Sequence, residues 1–279
     1  FSIVASNPVT KELCVATMTC LVAVGEIVPM VIPGVGSTAV QAKVKPSNRF
    51  KILEFMKNGY SPEFAINNVL ENDKLREHRQ IIAINHEGNG HVFSGSKTID
   101  ISDYFIGKNF VIAGNMLASK KVVSSMATSF QANNEIFFPK RCLQSLCEGD
   151  KMGGDKRGRM SASIIYSISN KKTMTLRIDY SNNPLNELFE ARLYRITKES
   201  ADCFLEEFPK STARKNVMFW RAEALRKGGF LPPPPKKREE NKKIREEIIT
   251  KLKKGKEVLN KGSERSMSRC FTWFPNWLV

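Results

Sequence analysis

Two patterns of apolar residues divide the first 190 residues into separate runs of strands and helices. Alternation of apolar and polar positions predicts three β-hairpins and one further short strand. The predicted strands are residues 1–5 with 13–19, residues 80–85 with 91–94, residues 161–169 with 173–180, and residues 110–113. The Glu-Gly-Asn-Gly turn between the second pair is a strong hairpin signal.

Helical spacing of apolar residues predicts four helices between these strands. They are residues 49–58, a helix that follows Ser61, residues 120–148 with a break near 133–134, and a helix from Asn183 to about residue 208. Residues 25–41 are rich in Gly and Pro and are predicted to be a loop with short extended pieces. Runs of strands that alternate with runs of helices indicate an α+β layered fold and argue against a doubly wound sheet.

Basic residues are concentrated near the C-terminus. The chain has a net charge of +16 at pH 7, and residues 226–269 contain 15 Lys and Arg but only six Asp and Glu. Four prolines at 232–235 precede a basic amphipathic helix predicted over residues 238–261. Such a tail either binds a polyanion or is a solvated appendage. The predicted organisation is a domain over residues 1–210, a connecting segment over 211–230 and a basic helical extension over 231–279.

Several classes of site and location are disfavoured by the sequence. The three histidines lack metal-ligand spacing and no nucleotide-binding motif is present, so we expect no cofactor and no metal. The six cysteines lack paired spacing and are interpreted as reduced thiols. The most apolar stretch, residues 20–40, is broken by Gly and Pro, so no membrane span is expected. A cytoplasmic location is favoured over export with a removed leader.

Three short segments could carry chemistry. The segment Gly-Gly-Asp-Lys-Arg-Gly-Arg at 153–159 stands directly before a predicted strand. It is either an anion-binding loop in which Arg157 and Arg159 grip a carboxylate or phosphate, or a solvated strand-entry loop with an internal Asp155–Arg pair. Residues 34–36, Gly-Val-Gly, form either a phosphate loop or a plain turn, and Asn115 is either a site residue or the N-cap of the following helix.

Taken together, these segments resemble the bacterial family catalogued as domain of unknown function 1028, which is similar in fold to the N-terminal-nucleophile hydrolases. The resemblance covers roughly residues 1–195. It rests on residues 1–10, 24–29, 34–41, 76–80, 114–118, 153–162 and 176–185. The pair Gly-Asn-Met-Leu-Ala at 114–118 and Gly-Gly-Asp-Lys-Arg-Gly-Arg at 153–159 is its most specific part.

The resemblance implies a four-layer α-β-β-α sandwich of two antiparallel sheets. It also implies amide-bond hydrolysis by a residue, usually Thr, that stands directly before Phe1 and uses its own α-amine as the base. Ser2 could replace that nucleophile only after removal of Phe1, because its amine is otherwise acylated.

The implied site has two sets of residues around that nucleophile. Asn115 or a glycine-loop amide would bind the oxyanion, and the expected substrate-binding residues are Gln41, Asp155, Arg157 and Arg159. The substrate would be a small amide or a peptide-like molecule, and a homodimer is a possible assembly. The alternative is a non-catalytic binding module of the same fold, whose basic tail binds a polyanion or a protein partner.

Overall fold

A computed structural model of the chain describes residues 1–133, 137–168 and 172–189. The predicted continuation of the last helix to residue 208, the connecting segment and the basic tail lie outside the described residues. No helix in the described ranges combines the length and the apolar character needed to cross a membrane.

Within the described residues, ten strands form two antiparallel sheets, which confirms the predicted α+β class. The strands are β1 (Ser2–Asn7), β2 (Glu12–Thr19), β3 (Pro29–Ile32), β4 (Gly36–Ala42), β5 (Arg79–Asn85), β6 (Gly90–Ser94), β7 (Asp103–Gly107), β8 (Phe110–Gly114), β9 (Ser161–Ile168) and β10 (Lys172–Ile178). One sheet has six strands in the order β10-β9-β2-β1-β8-β7, and the other has four in the order β3-β4-β5-β6. The three predicted hairpins are confirmed as β1–β2, β5–β6 and β9–β10.

Six helices complete the described part of the chain. They are α1 (Val24–Ile27), α2 (Ser47–Lys57), α3 (Pro62–Leu70), α4 (Lys121–Ala132), α5 (Phe138–Lys151) and α6 (Pro184–Glu187). The predicted start of α3 is confirmed, because the backbone N–H of Phe64 donates to the Ser61 hydroxyl at 3.1 Å. The predicted stop after α2 is confirmed as well, because Gly59 adopts the left-handed φ of 87°.

Three buried apolar clusters show how these elements are layered. The first joins the outer face of the six-stranded sheet to α4 and α5, as in the packing of Ile112 with Met126 and Leu143. The second fills the space between the two sheets and includes Val4 and Ile82. The third joins the four-stranded sheet to α2 and α3. Helices therefore lie outside each sheet, and the two sheets pack face to face.

Two local predictions are corrected by the structure. Residues 25–41 are mainly a hairpin of β3 and β4, because Gly34 takes a φ of 71° and turns the chain between two strands. Strand β7 is absent from the elements that the sequence predicts. The predicted break near 133–134 is confirmed, because α4 ends at Ala132 and α5 begins at Phe138. Pro139 lies in the first turn of α5, where its missing N–H costs nothing.

Candidate functional site

The start of β1 has two neighbouring strands whose pairing defines what surrounds it. Ser2 pairs with Thr17 on β2 and with Ala113 on β8. The backbone N–H of Phe1 donates to the Met18 carbonyl at 3.0 Å, so the β2 register holds to the end of the strand. Extending both registers by one residue puts a residue preceding Phe1 opposite Thr19 on one side and Asn115 on the other.

Alternation along β1 decides which layer each side chain enters. Phe1 and Ile3 belong to the apolar cluster beneath α4 and α5. Val4 belongs to the cluster between the sheets, and Ser2 is fully buried on that same side. Since alternate residues of a strand share a face, a residue preceding Phe1 would face the space between the sheets, as Ser2 does.

A chain of polar side chains crosses between the sheets at this end. The Ser2 hydroxyl lies 2.8 Å from Thr17 Oγ1 and 2.8 Å from Gln41 Oε1 on the opposite sheet. Gln41 Nε2 donates to Gln80 Oε1 at 2.9 Å, and Asn115 Nδ2 donates to the same oxygen at 3.1 Å. These contacts fix the orientation of the Gln41 and Asn115 amides, because an amide oxygen can only accept and each of these amides must turn its nitrogen toward Gln80 Oε1.

Gln80 is the centre of this chain. Its Nε2 donates to the Gly114 carbonyl at 3.0 Å and to the Ser94 hydroxyl at 3.1 Å, and its side chain is completely buried. Gln80 therefore links the four-stranded sheet to the end of β8. Met116 adopts the left-handed φ of 52°, which turns the chain just after Asn115.

Asp155 lies on the β2 side of the same end. Its carboxylate accepts hydrogen bonds from Thr19 Oγ1 at 3.1 Å and from the Cys20 backbone N–H at 3.2 Å. Arg157 donates to it through Nε at 2.9 Å and through Nη2 at 2.7 Å. Only 3% of the Asp155 side chain is exposed, whereas 40% of the Arg157 side chain is exposed. The pair thus has a buried anion and a cation that reaches solvent.

The backbone of the 153–158 segment is held against the end of β8. The Ala118 N–H donates to the Gly154 carbonyl at 3.0 Å, and the Lys156 N–H donates to the Met116 carbonyl at 2.9 Å. Gly153 and Gly154 have φ values of 103° and 51°, so the chain turns sharply into this position. These hydrogen bonds fix the backbone of the 153–158 segment along one side of the site.

Hydrogen bonding keeps the Asp155 carboxyl ionised. Burial by itself raises the pKa of this group, but the hydrogen bonds from Arg157 and from the backbone N–H groups of Arg157 and Cys20 outweigh it. The pKa of Asp155 therefore lies below its ordinary value, and the carboxylate carries a full charge at neutral pH.

The other cations of the segment are also paired. Arg159 Nε donates to Asp150 at 2.9 Å, away from Asp155, and 45% of its side chain is exposed. Lys156 forms an ion pair with Asp100. Each positive charge of the segment thus has its own carboxylate, and Arg157 is the one whose partner also contacts Thr19.

The site residues predicted from the sequence lie at or near this end of the sheets, but several residues that contact them were not predicted. Ser2, Gln41 and Asn115 lie in one polar chain, Asp155 and Arg157 lie beside it, and Arg159 lies with Asp150. Asn115 is not a helix N-cap, because α4 begins only at Lys121. The 34–36 turn lies at the other end of its sheet, since Gly36 pairs with Asn85 while Gln41 pairs with Gln80.

The missed residues are Gln80, Thr17 and Thr19. A glutamine directly before the apolar residues 81–84 of β5 was the available signal for Gln80, because buried polar side chains need hydrogen-bond partners. Thr17 and Thr19 fit the ordinary alternation of a strand, so nothing in the sequence distinguished them.

Comparison with known protein families identifies the group to which this arrangement belongs. The sequence model of the family described as "Family of unknown function (DUF1028)" matches residues 1–188. This chain belongs to the DUF1028 family. The matched range of DUF1028 contains the start of β1, the Gln80 chain and the Asp155–Arg157 pair.

A solved structure of a DUF1028 protein agrees with this assignment. Protein SPO2555 from Silicibacter pomeroyi, a DUF1028 protein, is 30% identical with a TM-score of 0.65, over 72% of this chain and 91% of that one. Anbu from Hyphomicrobium sp. strain MC1 has 10% identity and a TM-score of 0.37, over 75% of this chain and 97% of that one. Anbu from Yersinia bercovieri has 11% identity and a TM-score of 0.32, over the same shares of the two chains, 75% and 97%. No curated protein matches the chain.

Proposed function

We propose that this DUF1028 protein hydrolyses an amide bond with the residue directly before Phe1 as its nucleophile. The observation that carries the proposal is the register of β1, which puts that position opposite Thr19 and Asn115 and facing the space between the sheets. A side chain there would stand at the open end of a polar layer. The residue that carries this side chain would extend β1, which pairs with β2 on one side and β8 on the other, so its backbone position would be fixed.

The chemistry needs a hydroxyl or thiol and a free α-amine on that residue. The side-chain oxygen or sulfur attacks the amide carbonyl, and its proton passes to the α-amine. The amine then gives the proton to the leaving nitrogen as the C–N bond breaks, which leaves an acyl-enzyme. Water attacks the acyl carbon and loses a proton to the α-amine. The bond between the acyl carbon and the nucleophile's oxygen or sulfur then breaks, and the amine returns the proton to that atom, which releases the acid and restores the nucleophile.

Asn115 is the proposed oxyanion donor. One N–H of its amide donates to Gln80 Oε1 at 3.1 Å, so its second N–H has a fixed direction. Because Asn115 directly follows β8 and lies opposite the nucleophile position when the β1–β8 register is extended, this N–H is suited to the oxygen of a tetrahedral intermediate.

Asp155, Thr19 and Arg157 are proposed to act on the other side. The charge of Asp155, connected to Thr19 by a hydrogen bond of 3.1 Å, would stabilise the ammonium that forms on the nucleophile's amine. Arg157 is paired with Asp155, and its side chain is 40% exposed, so its guanidinium can also bind a polar or acidic group of the substrate. Gln41 and Ser2 hold the two sheets together behind the reacting atoms, and Arg159 contributes charge at the rim.

Labelling with a β-lactone tests this proposal. The native protein should begin with Thr, Ser or Cys before Phe1, as read by intact mass and N-terminal sequencing. A β-lactone is opened by such a nucleophile and adds its full mass as an ester or thioester, with no leaving group. We expect one adduct on the N-terminal residue by peptide mapping, and its loss when that residue is replaced by Ala.

The control for this labelling is Cys20, a partly exposed thiol beside the site. Cys20→Ser should keep the adduct. A native N-terminus other than Thr, Ser or Cys, or labelling that survives the Ala replacement, would favour the non-catalytic binding module instead.

A further inference from the structure

Strand β7 is an edge strand with exposed apolar side chains. The six-stranded sheet ends at β7, and β8 is its one strand partner in the same sheet among the described residues. The facing sheet reaches β7 through β6. Even so, Tyr104 is 51%, Phe105 36% and Ile106 49% exposed.

The exposed strip continues into the segment before β7. Ile99 and Ile101 are 62% and 41% exposed, and their carbonyls accept hydrogen bonds from Met116 and Leu117. The apolar strip thus runs from the sheet edge toward the candidate site.

Natural proteins usually protect an exposed edge with proline, a bulge, an inward-pointing charge or a covering element. In β7 the five residues from Asp103 to Gly107 pair regularly with β8, without a bulge or a proline. Three consecutive large apolar residues, with the outward-pointing backbone groups of the strand unpaired among the described residues, form a surface suited to another strand.

We propose that β7 pairs with β7 of a second copy of this chain, antiparallel about a two-fold axis through Phe105. The axis is perpendicular to the sheet, and the two six-stranded sheets then form one continuous sheet. Such a contact is isologous, because the same strand is used by both copies.

The sequence of β7 selects this register among those that symmetry allows. Phe105 pairs with Ile112 on the helix-covered face of the sheet, whereas Tyr104 and Ile106 pair with Ala113 and Val111 on the other face. A two-fold axis perpendicular to the sheet puts the helix-covered faces of the two copies on the same side. The residue opposite Phe105 can therefore change only by two positions at a time, because a change of one would pair residues from different faces.

With the axis at Phe105, this residue stands opposite its own copy, and Tyr104 stands opposite Ile106 of the other copy. A shift in one direction puts Phe105 opposite Asp103, and a shift in the other puts it opposite Gly107. Only the central register pairs every exposed apolar residue with another apolar one.

Charge supports the same partner. Asp103 begins the strand and Lys108 follows its end, so antiparallel pairing brings the acidic end of one copy beside the basic end of the other. A parallel arrangement would put like charges side by side.

The first test is the mass of the full chain in solution by light scattering, over about 5 to 100 μM protein and at about 0.15 M salt, which screens the net charge. We expect twice the 31.5 kDa chain mass at the upper concentrations. Tyr104→Lys with Ile106→Lys should give the monomer mass. The matched control Val9→Lys, at an apolar residue 89% exposed on a turn, should behave as the parent.

The second test reads the register by oxidation to a disulfide. Phe105→Cys puts two thiols directly opposite each other, with Cβ atoms about 5 Å apart, and should form a dimer on a non-reducing gel. Tyr104→Cys puts the two thiols about 7–8 Å apart on the diagonal and should give no more dimer than the parent.

Three results would overturn the proposal. They are a monomer mass at all concentrations, a dimer mass that the double Lys variant keeps, and cross-linking of Tyr104→Cys as strong as that of Phe105→Cys. A monomer in which β7 is covered by the chain's own C-terminal residues would appear as the first of these.

Discussion

Replacing Gln80 with leucine is expected to lower the free energy of unfolding by about 2–4 kcal/mol. Leucine fills a similar volume, but it removes the acceptor of Gln41 Nε2 and Asn115 Nδ2 and the donor to Gly114 and Ser94. The side chain of Gln80 is completely buried, so water cannot replace these bonds without opening the core.

Urea denaturation at pH 7 measures this change, with Gln131→Leu as the matched control because Gln131 is exposed on α4. The control should stay within about 0.5 kcal/mol of the parent. If Gln80→Leu changes the unfolding free energy as little as the control does, the hydrogen bonds of Gln80 do not stabilise this end of the two sheets, and the prediction is wrong.

Replacing Asp155 with alanine is expected to cost about 1–3 kcal/mol at pH 7. The change leaves the backbone N–H groups of Cys20 and Arg157 without an acceptor where the carboxylate was buried. Arg157→Ala should cost less, because its guanidinium is 40% exposed and the carboxylate keeps Thr19 and both backbone donors.

The pH dependence of the Asp155→Ala effect follows from the lowered pKa of this carboxyl in the folded protein. An unfolded Asp has a pKa of about 3.9, so the stabilisation is complete above that pH and is lost as pH falls through the lower folded value. Parent and variant should therefore converge in stability below about pH 4.

The control for this pH series is Asp100→Ala, which breaks an exposed ion pair with Lys156 and should change stability by less than about 1 kcal/mol. A difference between parent and Asp155→Ala that stays constant down to about pH 2 would show that hydrogen-bonded charge is not the cause.

Much of the local structure follows from the sequence, because local signals decide it. The β1–β2, β5–β6 and β9–β10 hairpins follow from alternation and turn residues, and the ends of α2 and α3 follow from Gly59 and Ser61. The motifs at 114–118 and 153–159 also led to the correct family.

The failures have separate physical causes. Strand β7 has no alternating pattern, because it is an edge strand that exposes apolar residues on both of its faces. The β3–β4 hairpin was taken for a loop, because Gly and Pro are common to loops and to the tight turn that Gly34 makes.

The amino-acid sequence by itself determined most of the strands and helices, the α+β class of the fold and the membership of the chain in DUF1028. Only the tertiary structure decided that β1 lies between β2 and β8. It also decided that Ser2 contacts Gln41, which lies on the other sheet and 39 residues away in sequence. Sheet order depends on contacts between distant segments, which no local pattern encodes. The neighbours of the candidate site, Gln80 and Thr19 among them, became visible only when those strands were in place.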